Sequence, residues 1–348
     1  MLALILLILQ LLLLAYFLFF SFYLFRYGYA SVFLKPKIKK VKYSNAKVAV
    51  VIVSYNEGEV LKDTLAACEK LTYKNKVIIC ADDSNDGKTN ALLLKIAKEK
   101  GAKQLLKTDY IDHGKTEVFA ADDFVLFHRL HNVGFKAGSL KELETYLKAN
   151  DFEYMYLLDA DWEPQPDAIE RCLEVIEADK KIGFVQTKRI SYYGEQENLQ
   201  RCLALNEDGN YYVDLPGRQN IGDMILFSGC CTLFRLKSLY KTEGFRPGHI
   251  TEDIDLTNRF YLLGYKGVYL ENVENIGDVP YHYTAYRRQQ DRWARGTARV
   301  FKEYFWPIIF SKKMNLKEKL SLLRQNSYYT TSVAIELSIF LAFLNVAL

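Results

Sequence analysis

An almost unbroken apolar segment begins the chain. Met1–Phe25 consists almost entirely of leucine, isoleucine, alanine, phenylalanine and tyrosine, with Gln10 and Ser21 as its clearly polar residues. A helix of about 20 such residues spans the hydrocarbon core of a bilayer. A cleaved signal peptide would have a basic start, a shorter apolar stretch and a cleavage site with small residues, which this segment lacks. The pattern therefore predicts a retained transmembrane helix over residues 1–26.

Basic residues lie next to this segment and before a second apolar run. Arg26 and a lysine-rich linker over residues 27–45 follow the first segment, and several lysines precede the apolar run Ser332–Leu348. Positive charge marks the cytoplasmic side of a membrane helix. We therefore expect an integral membrane protein, in the plasma membrane or its equivalent, with its N-terminus outside and its catalytic body in the cytoplasm.

The stretch before the second apolar run is amphipathic. Lysines stand between apolar residues at helical spacing in Leu316–Leu323, which predicts interfacial helices over residues 301–330, with an ordinary surface helix as the alternative. Residues 331–348 barely reach the length of a span and contain Glu336. We expect them to be the start of a second transmembrane segment in a sequence that continues further.

The middle of the chain alternates between short β-branched runs and helical stretches. The predicted buried strands are Lys47–Ser54, Lys76–Ala81 and Tyr154–Leu158, and the predicted helices are Val60–Lys70, Asn90–Lys100 and Pro166–Ala178. This alternation predicts an α/β fold over residues 46–300, with a mostly parallel sheet flanked by helices. The polar segment Lys107–Asp123 fits neither pattern, and we expect an inserted loop or a short helix there.

Polar clusters follow three of the predicted strands. They are Ser54–Glu57, Asp82–Asp86 and Asp159–Asp161. In open α/β sheets, ligands bind beyond the carboxyl ends of the strands, so the three clusters are expected to meet at one nucleotide site.

Composition narrows the class of partner. The chain has 46 basic and 42 acidic residues, a net charge of +4, which is too balanced to indicate a nucleic acid polymer as partner. The 25 tyrosines and 21 phenylalanines suit membrane interfaces, carbohydrate-stacking surfaces and ordinary cores equally. The six cysteines form no CxxC pair and no cluster with the spacing of a zinc site, so we expect buried thiols in a reducing compartment.

The acidic clusters are candidates for metal and nucleotide binding. Asp159 and Asp161 end a strand two residues apart, so both can bind one hard divalent cation, although acidic pairs are also common in turns. Asp82 and Asp83 follow another strand in the same way, with a turn that caps the next helix as the alternative. Tyr55 and Glu57 suit stacking on a base and hydrogen bonding to it; a turn with an N-cap is their alternative.

Two segments further along the chain suit catalysis. Thr251-Glu252-Asp253 precedes an amphipathic stretch, where it would act either as a helix cap or by using Asp253 as a general base for an acceptor hydroxyl. The sequence QQDRW places Gln289, Arg292 and Trp293 on one face of a predicted helix. Arginine binds a diphosphate through two hydrogen bonds, and tryptophan offers a flat face to a sugar ring. The alternative is an exposed arginine beside a tryptophan at the membrane interface.

Taken in order, these segments resemble the processive branch of glycosyltransferase family 2, which includes the cellulose, hyaluronan and mannan synthases. The resemblance covers residues 46 to about 300, and the sequence is most similar to the mannan and glucomannan synthase-like group. The matching segments are VSYNE (Val53–Glu57), DDSNDG (Asp82–Gly87), HNVGFKAGSL (His131–Leu140), DAD (Asp159–Asp161), TED (Thr251–Asp253) and QQDRW (Gln289–Trp293). Each segment alone is common, whereas their combination is specific.

The resemblance implies a GT-A type fold and a role for each matching residue. Donor-binding residues would be Ser54, Tyr55, Glu57, Asp82, Asp83, Lys136 and Asp159. Asp159 and Asp161 would hold Mg²⁺ or Mn²⁺ against the diphosphate. The catalytic set would be Asp253 as the base with Glu252, Gln289, Arg292 and Trp293. Two departures from the family pattern concern the acceptor: Trp162 either extends its platform or packs in the core, and Ser228–Arg235 replaces a stretch that usually contains asparagine.

The expected reaction is a single displacement that inverts the sugar and forms β-glycosidic bonds from a nucleotide-diphosphate sugar, for polysaccharide synthesis. UDP-sugars are the more common donors in such enzymes, with GDP-mannose as the alternative. The acceptor is expected to be a glycan or a lipid at the membrane, and further subunits are left open. One rival is the transfer of a single sugar to a lipid. The other is an inactive glycan-binding subunit with the same fold.

Overall fold

The computed structural model describes residues 2–106, 108, 111–112, 114–192 and 198–347. Its helices are α1 Leu2–Phe33, α2 Val60–Glu69, α3 Lys88–Glu99, α4 Phe135–Ala149, α5 Ala168–Ile176, α6 Asn198–Asp208, α7 Leu215–Asn220, α8 Leu236–Lys241, α9 Glu252–Leu262, α10 Tyr283–Phe310, α11 Leu316–Asn326 and α12 Thr330–Ala347, with a π-helix at Gly209–Asp214. Its strands are β1 Val48–Ser54, β2 Lys76–Asp82, β3 Lys103–Gln104, β4 Thr116–Ala120, β5 Phe124–Arg129, β6 Tyr154–Asp159, β7 Trp162–Pro164, β8 Ile182–Ser191, β9 Thr232–Arg235 and β10 Lys266–Gly277.

The strands form one mixed sheet in the order β3-β4-β5-β2-β1-β6-β9-β8-β10-β7. Its centre, β5-β2-β1-β6, is parallel, as predicted. β9 lies antiparallel between β6 and β8. The edge strands β3 and β7, and β4 next to β3, are also antiparallel to their neighbours. The parallel centre requires crossover helices, which cover both faces of the sheet.

Successive side chains of β1 show why this centre is buried. Val48, Val50 and Ile52 pack with residues of α2 and α5, whereas Ala49 and Val51 pack with α4 on the opposite face. Side chains alternate between the two faces of a strand, so a continuous apolar run indicates a strand covered on both sides.

The prediction of a loop or short helix over Lys107–Asp123 is wrong where the structure describes a strand. β4 occupies Thr116–Ala120 and pairs antiparallel with β5. Thr116 and Val118 are buried and Glu117 between them is half-buried, which is the alternation of a strand with one covered face. Residues 107, 109, 110 and 113 of that segment lie outside the described residues.

The first helix both extends from the body and packs against it. α1 continues past the predicted end at residue 26 to Phe33, and the large apolar side chains along most of its length are exposed. Tyr27 is buried, and its hydroxyl donates to the Asp223 carboxylate at 3.1 Å. Gly217 lies so close that a Cβ there would stand 2.3 Å from the Tyr27 carbonyl oxygen. The end of α1 is therefore fixed to the body.

Within the described residues, one helix, Leu4–Phe33, is by itself long and apolar enough to cross a membrane. α11 and α12 meet the same test only as a pair bent by 71°. α11 begins with a capping box between Asn315 and Glu318 and buries Ser321 and Leu322 against the body. The orientation of the chain, the interfacial helices and the second transmembrane segment stay predictions.

Candidate active site

The strand register brings the predicted polar clusters to one edge of the sheet. Ser54 at the end of β1 pairs with Asp82 at the end of β2, and Val53 pairs with Asp159 at the end of β6. The carboxyl ends of the three parallel strands therefore lie side by side. This arrangement agrees with the predicted position of the clusters.

The loop after β1 is tied to the loop after β2. Asn56 adopts a left-handed conformation with φ 62°, and its Oδ1 accepts from the backbone N–H groups of Asn85 at 2.9 Å and Asp86 at 3.2 Å. Beside it, the Tyr55 side chain is 45% exposed. The buried Ser54 hydroxyl has no hydrogen-bond partner in the described part of the chain. The Tyr55 ring is therefore accessible to a ligand at this edge, whereas the Ser54 hydroxyl lies beneath the surface without a partner.

Asp82 and Asp83 are buried and already hydrogen-bonded. The Asp82 carboxylate lies 2.8 Å from His128 Nδ1 and accepts from the Ser84 hydroxyl at 2.6 Å. The Asp83 carboxylate accepts from Arg129 Nε at 2.7 Å and from the Ser139 hydroxyl at 3.0 Å. Burial raises the pKa of Asp83, and the Arg129 bonds oppose that shift. The structure thus gives both residues a framework role, and their contact with a donor stays a prediction.

Asp161, Asp159 and Glu57 form a crowded group of carboxylates. Burial, followed by the charges of Asp159 and Glu57, raises the pKa of Asp161 to about 7. Partial desolvation and then the Asp159 charge also raise the pKa of Glu57, although Glu57 is exposed at the surface. Carboxylates that repel one another at a strand end suit a hard divalent cation, whose charge removes the repulsion. The chemistry of this donor set therefore suits a hard divalent cation.

Lys136 connects this group to the TED segment. Its ammonium forms an ion pair with Asp159, donates to the Gly229 carbonyl at 2.9 Å and lies 3.8 Å from the Glu252 carboxylate. Burial by itself would lower the pKa of Lys136, but the two carboxylates raise it above its ordinary value. Lys136 is therefore a fixed cation between the two acidic groups.

Glu252 and Asp253 begin α9, and the Thr251 side chain makes no capping hydrogen bond there. Burial and then the neighbouring Asp253 charge raise the pKa of Glu252 to about 7. Burial also raises the pKa of Asp253, whose Oδ1 accepts from the Ile254 N–H at 2.8 Å. Gly229 lies beside Asp253, because a Cβ at Gly229 would be 3.9 Å from the Asp253 carboxylate. The TED acids therefore belong to the same site as Lys136.

The helix that carries the QxxRW segment packs closely against the start of α9. Gly296 of α10 packs on Thr251, and a Cβ at Gly296 would stand 2.3 Å from Thr251 Cγ2. Gln289, Arg292 and Trp293 lie within about two turns before Gly296, so α10 carries them past the start of α9. Gln289 and Trp293 are half-buried. Arg292 is exposed and makes no ion pair with the described residues, which leaves its guanidinium free for an anion.

Three residues of the site were missed from the sequence. Arg129 ends β5, a strand for which no element was predicted. Gln186 holds the loop after Phe227: its Oε1 accepts from the Ser228 N–H at 2.9 Å, and its Nε2 donates to the Cys230 carbonyl at 3.0 Å. Local periodicity carries no sign of such partners, since they are distant in sequence.

Arg189 is the third missed residue, and its position shows which role Trp162 has. The Arg189 guanidinium lies 4.9 Å from the Trp162 ring and 4.9 Å from the Tyr211 ring, and it forms an ion pair with Glu207. Trp162 is buried beneath Gly277, where a Cβ would stand 2.5 Å from the indole. Of the two roles considered for Trp162, the structure therefore supports packing.

Two family models match the chain. The model described as Glycosyl transferase family 2 matches residues 49–242, and the model described as Glycosyl transferase family group 2 matches residues 154–348.

Curated relatives match most of the chain. A probable glucomannan 4-beta-mannosyltransferase 14 of Arabidopsis thaliana is 26% identical over 297 residues, 84% of this chain and 52% of that protein. A probable glucomannan 4-beta-mannosyltransferase 6 of Oryza sativa subsp. japonica is 27% identical over 275 residues, 78% of this chain and 45% of that protein. The chain thus spans about half the length of these relatives.

Solved structures show the same fold. Mannosyltransferase PcManGT from Pyrobaculum calidifontis, in complex with GDP-Man and Mn²⁺, matches with a TM-score of 0.64 at 17% identity, over 98% of this chain and 90% of the other. S. aureus TarS in complex with UDP-GlcNAc matches with a TM-score of 0.53 at 13% identity, over 81% of this chain and 73% of the other. These matches confirm the predicted GT-A type α/β fold.

Proposed function

This chain belongs to glycosyltransferase family 2, as its motifs predicted, and we propose that it transfers mannose from GDP-mannose to a saccharide acceptor at a membrane, with inversion of configuration. The observation that carries the proposal is Lys136, whose ammonium joins the Asp159 carboxylate to Glu252 beside the proposed base. One half-buried cation thus connects a donor and metal group with a group for proton transfer.

The choice of mannose comes from the relatives. Both curated relatives are named as mannosyltransferases, and the structural neighbour PcManGT was solved with GDP-Man. These names favour GDP-mannose over the UDP-sugars, which are the more common donors of such enzymes. The Ser54 hydroxyl and the Tyr55 ring are the side chains proposed to contact the base.

The donor side of the mechanism concerns charge. Asp159 and Asp161 would hold Mg²⁺ or Mn²⁺, which when bound neutralises charge on the diphosphate. Lys136 and the exposed Arg292 supply positive charge for the same leaving group, Arg292 through two hydrogen bonds. These groups stabilise GDP as the bond between the anomeric carbon and the diphosphate oxygen breaks.

The acceptor side concerns a proton. Asp253 removes the proton of the attacking hydroxyl, and the raised pKa of its carboxyl makes it a stronger base than a solvated aspartate. The hydroxyl oxygen bonds to the anomeric carbon from the face opposite the leaving diphosphate. One displacement therefore converts an α-linked donor into a β-glycoside, and Asp253 carries the proton.

Replacement of the base tests this assignment. In Asp253→Asn no carboxylate is present to take the proton of the attacking hydroxyl, so we expect the transfer rate to fall by about 10²–10⁴-fold while GDP-mannose still binds. Transfer of radiolabelled mannose measures the rate, and titration with GDP-mannose measures donor binding. Asp255→Asn is not a suitable control, because Asp255 is ion-paired with Arg259 inside the protein. Unchanged turnover in Asp253→Asn would refute the assignment.

The donor and the product length are tested together. Membranes that contain the protein are incubated with labelled GDP-mannose, UDP-glucose and UDP-GlcNAc, and the products are sized. Labelling from GDP-mannose alone supports the proposal, and labelling from a UDP-sugar alone contradicts the choice of donor. A ladder of oligomers indicates polymer synthesis, which the glucomannan relatives favour, whereas one glycolipid product supports single transfer.

The membrane part of the proposal rests on α1. Its exposed apolar surface supports an anchor, and the basic residues after it support a cytoplasmic body.

An inactive glycan-binding subunit is the weaker alternative, because Asp159, Asp161 and Asp253 are all present and stand in one group with Lys136.

A further inference from the structure

The turn between α11 and α12 is attached to the helix that carries the proposed base. Asn326 at the end of α11 and Asn258 of α9 exchange two side-chain hydrogen bonds of 2.9 and 3.2 Å, and both side chains are buried. Asn258 lies little more than one turn after Asp253 on the same helix. The turn that begins at Ser327 is therefore held in a fixed position relative to Asp253.

Tyr329, in the same turn, contacts the helix that carries QxxRW. Its hydroxyl donates to Gln290 Oε1 at 2.9 Å, and Gln290 is the neighbour of Gln289 in that motif. Burial raises the pKa of Tyr329 to about 12, and the nearby Tyr328, Tyr286 and Asp253 add to the rise. The phenol therefore stays protonated as a donor, and Asp253 is near enough to act on it electrostatically.

We propose that Tyr329 lines the acceptor site, where its ring packs against the acceptor sugar whose hydroxyl is presented to Asp253. This inference rests on the proposed function, because it takes Asp253 as the base. The bond to Gln290 fixes the polar end of the side chain, so the ring is left as the surface for a ligand. Half-buried aromatic rings next to a few placed polar groups are typical of ligand sites.

The adjacent tyrosine provides a matched control. Tyr328 is 55% exposed, and its ring meets the Tyr329 ring edge-on at 5.3 Å. The two residues share the same turn and the same chemistry. Only Tyr329 is hydrogen-bonded to the QxxRW helix among the described contacts of the pair.

The test separates acceptor binding from donor chemistry. The full chain in detergent is assayed with GDP-mannose for acceptor-free hydrolysis and for transfer to β-linked manno-oligosaccharides. In Tyr329→Ala we expect the acceptor KM to rise about ten-fold, which is about 1.4 kcal/mol of binding free energy, because the variant loses the packing of the ring against the acceptor sugar. Donor KM and hydrolysis stay within about two-fold, Tyr329→Phe keeps most of the acceptor affinity, and Tyr328→Ala behaves as the wild type.

Three results would overturn the inference: an unchanged acceptor KM in Tyr329→Ala, an equal rise in Tyr328→Ala, or an equal loss of hydrolysis and transfer. A wild-type chain that neither hydrolyses GDP-mannose nor transfers mannose from it contradicts the proposed function instead. In that case calorimetric titration of the manno-oligosaccharide into the wild type and Tyr329→Ala still decides the inference. Weaker binding by the variant supports it, and equal binding or no binding by either protein rejects it.

Discussion

Two groups of carboxylates lie at the same edge of the sheet and are treated differently by their surroundings. Asp82 and Asp83 are bound by side chains that are close and fixed, above all Arg129. Asp161 and Glu252 lie beside other carboxylates, and burial together with those neighbours raises the pKa of each to about 7. The first group is compensated within the protein and supports the loops, whereas Lys136 balances the second group only in part, so that a cation or a proton can satisfy the remaining negative charge.

The largest expected effect is on the compensated group. Arg129→Leu leaves the buried Asp83 charge without its partner, so we expect a loss of about 3–5 kcal/mol in the free energy of unfolding. Urea denaturation in detergent measures it. The control Arg171→Leu breaks the partly exposed pair with Asp167 and should cost below about 1 kcal/mol. Equal losses in the two variants would contradict the distinction, and adding Asp83→Asn to Arg129→Leu should restore part of the stability.

Metal binding should raise the stability of the protein through the second group, which includes Asp161. With GDP present, Mn²⁺ at about 100 times its Kd should stabilise the wild type by about 2.7 kcal/mol, visible as a rise in Tm. Asp161→Asn should lose this rise, because it removes a proposed ligand. Asp167→Asn removes a carboxylate elsewhere and should keep it. A full rise in Asp161→Asn would show that the ion binds at another place.

Glu252 should make the free energy of unfolding depend on pH. Its pKa is about 7 in the fold against an ordinary value of 4.5, so the folded protein holds this proton more tightly than the unfolded chain. The stability contributed by the protonated form is complete below pH 4.5 and is lost as the pH rises to about 7. Glu252→Gln should therefore be more stable than the wild type by about 1–3 kcal/mol at pH 8, and not at pH 4.5. Unfolding at both pH values checks this, and a constant difference would contradict it.

The smallest effect on stability is expected at Tyr55, in the exposed loop after β1. Tyr55→Ala should change the free energy of unfolding by no more than about 0.5 kcal/mol, because the side chain is nearly half exposed. If the ring stacks on the donor base, the KM for GDP-mannose rises several-fold. Tyr43→Ala, also exposed but next to Tyr73 on another part of the body, should leave that KM unchanged. An unaltered KM in Tyr55→Ala would remove Tyr55 from the donor site.

Much of the central fold was predictable because its periodicity is local. The predicted helix Val60–Lys70 is observed as Val60–Glu69, and the predicted strand Lys76–Ala81 is observed as Lys76–Asp82. β4 was not predictable in this way, because it is only five residues long and its pairing is with β5, for which no element was predicted. The antiparallel β9 between β6 and β8 likewise depends on contacts between distant segments.

The sequence by itself determined the order of the motifs, the apolar helices and the family of the chain, since these depend on residue types and short spacings. The tertiary structure decided which charges meet. Lys136 lies between Asp159 and Glu252, and Arg129 faces Asp83, although each pair is far apart along the chain. The strength of such interactions depends on distance and burial, which only the packed sheet and helices set. The same packing places Tyr329 against the QxxRW helix, where no motif had indicated it.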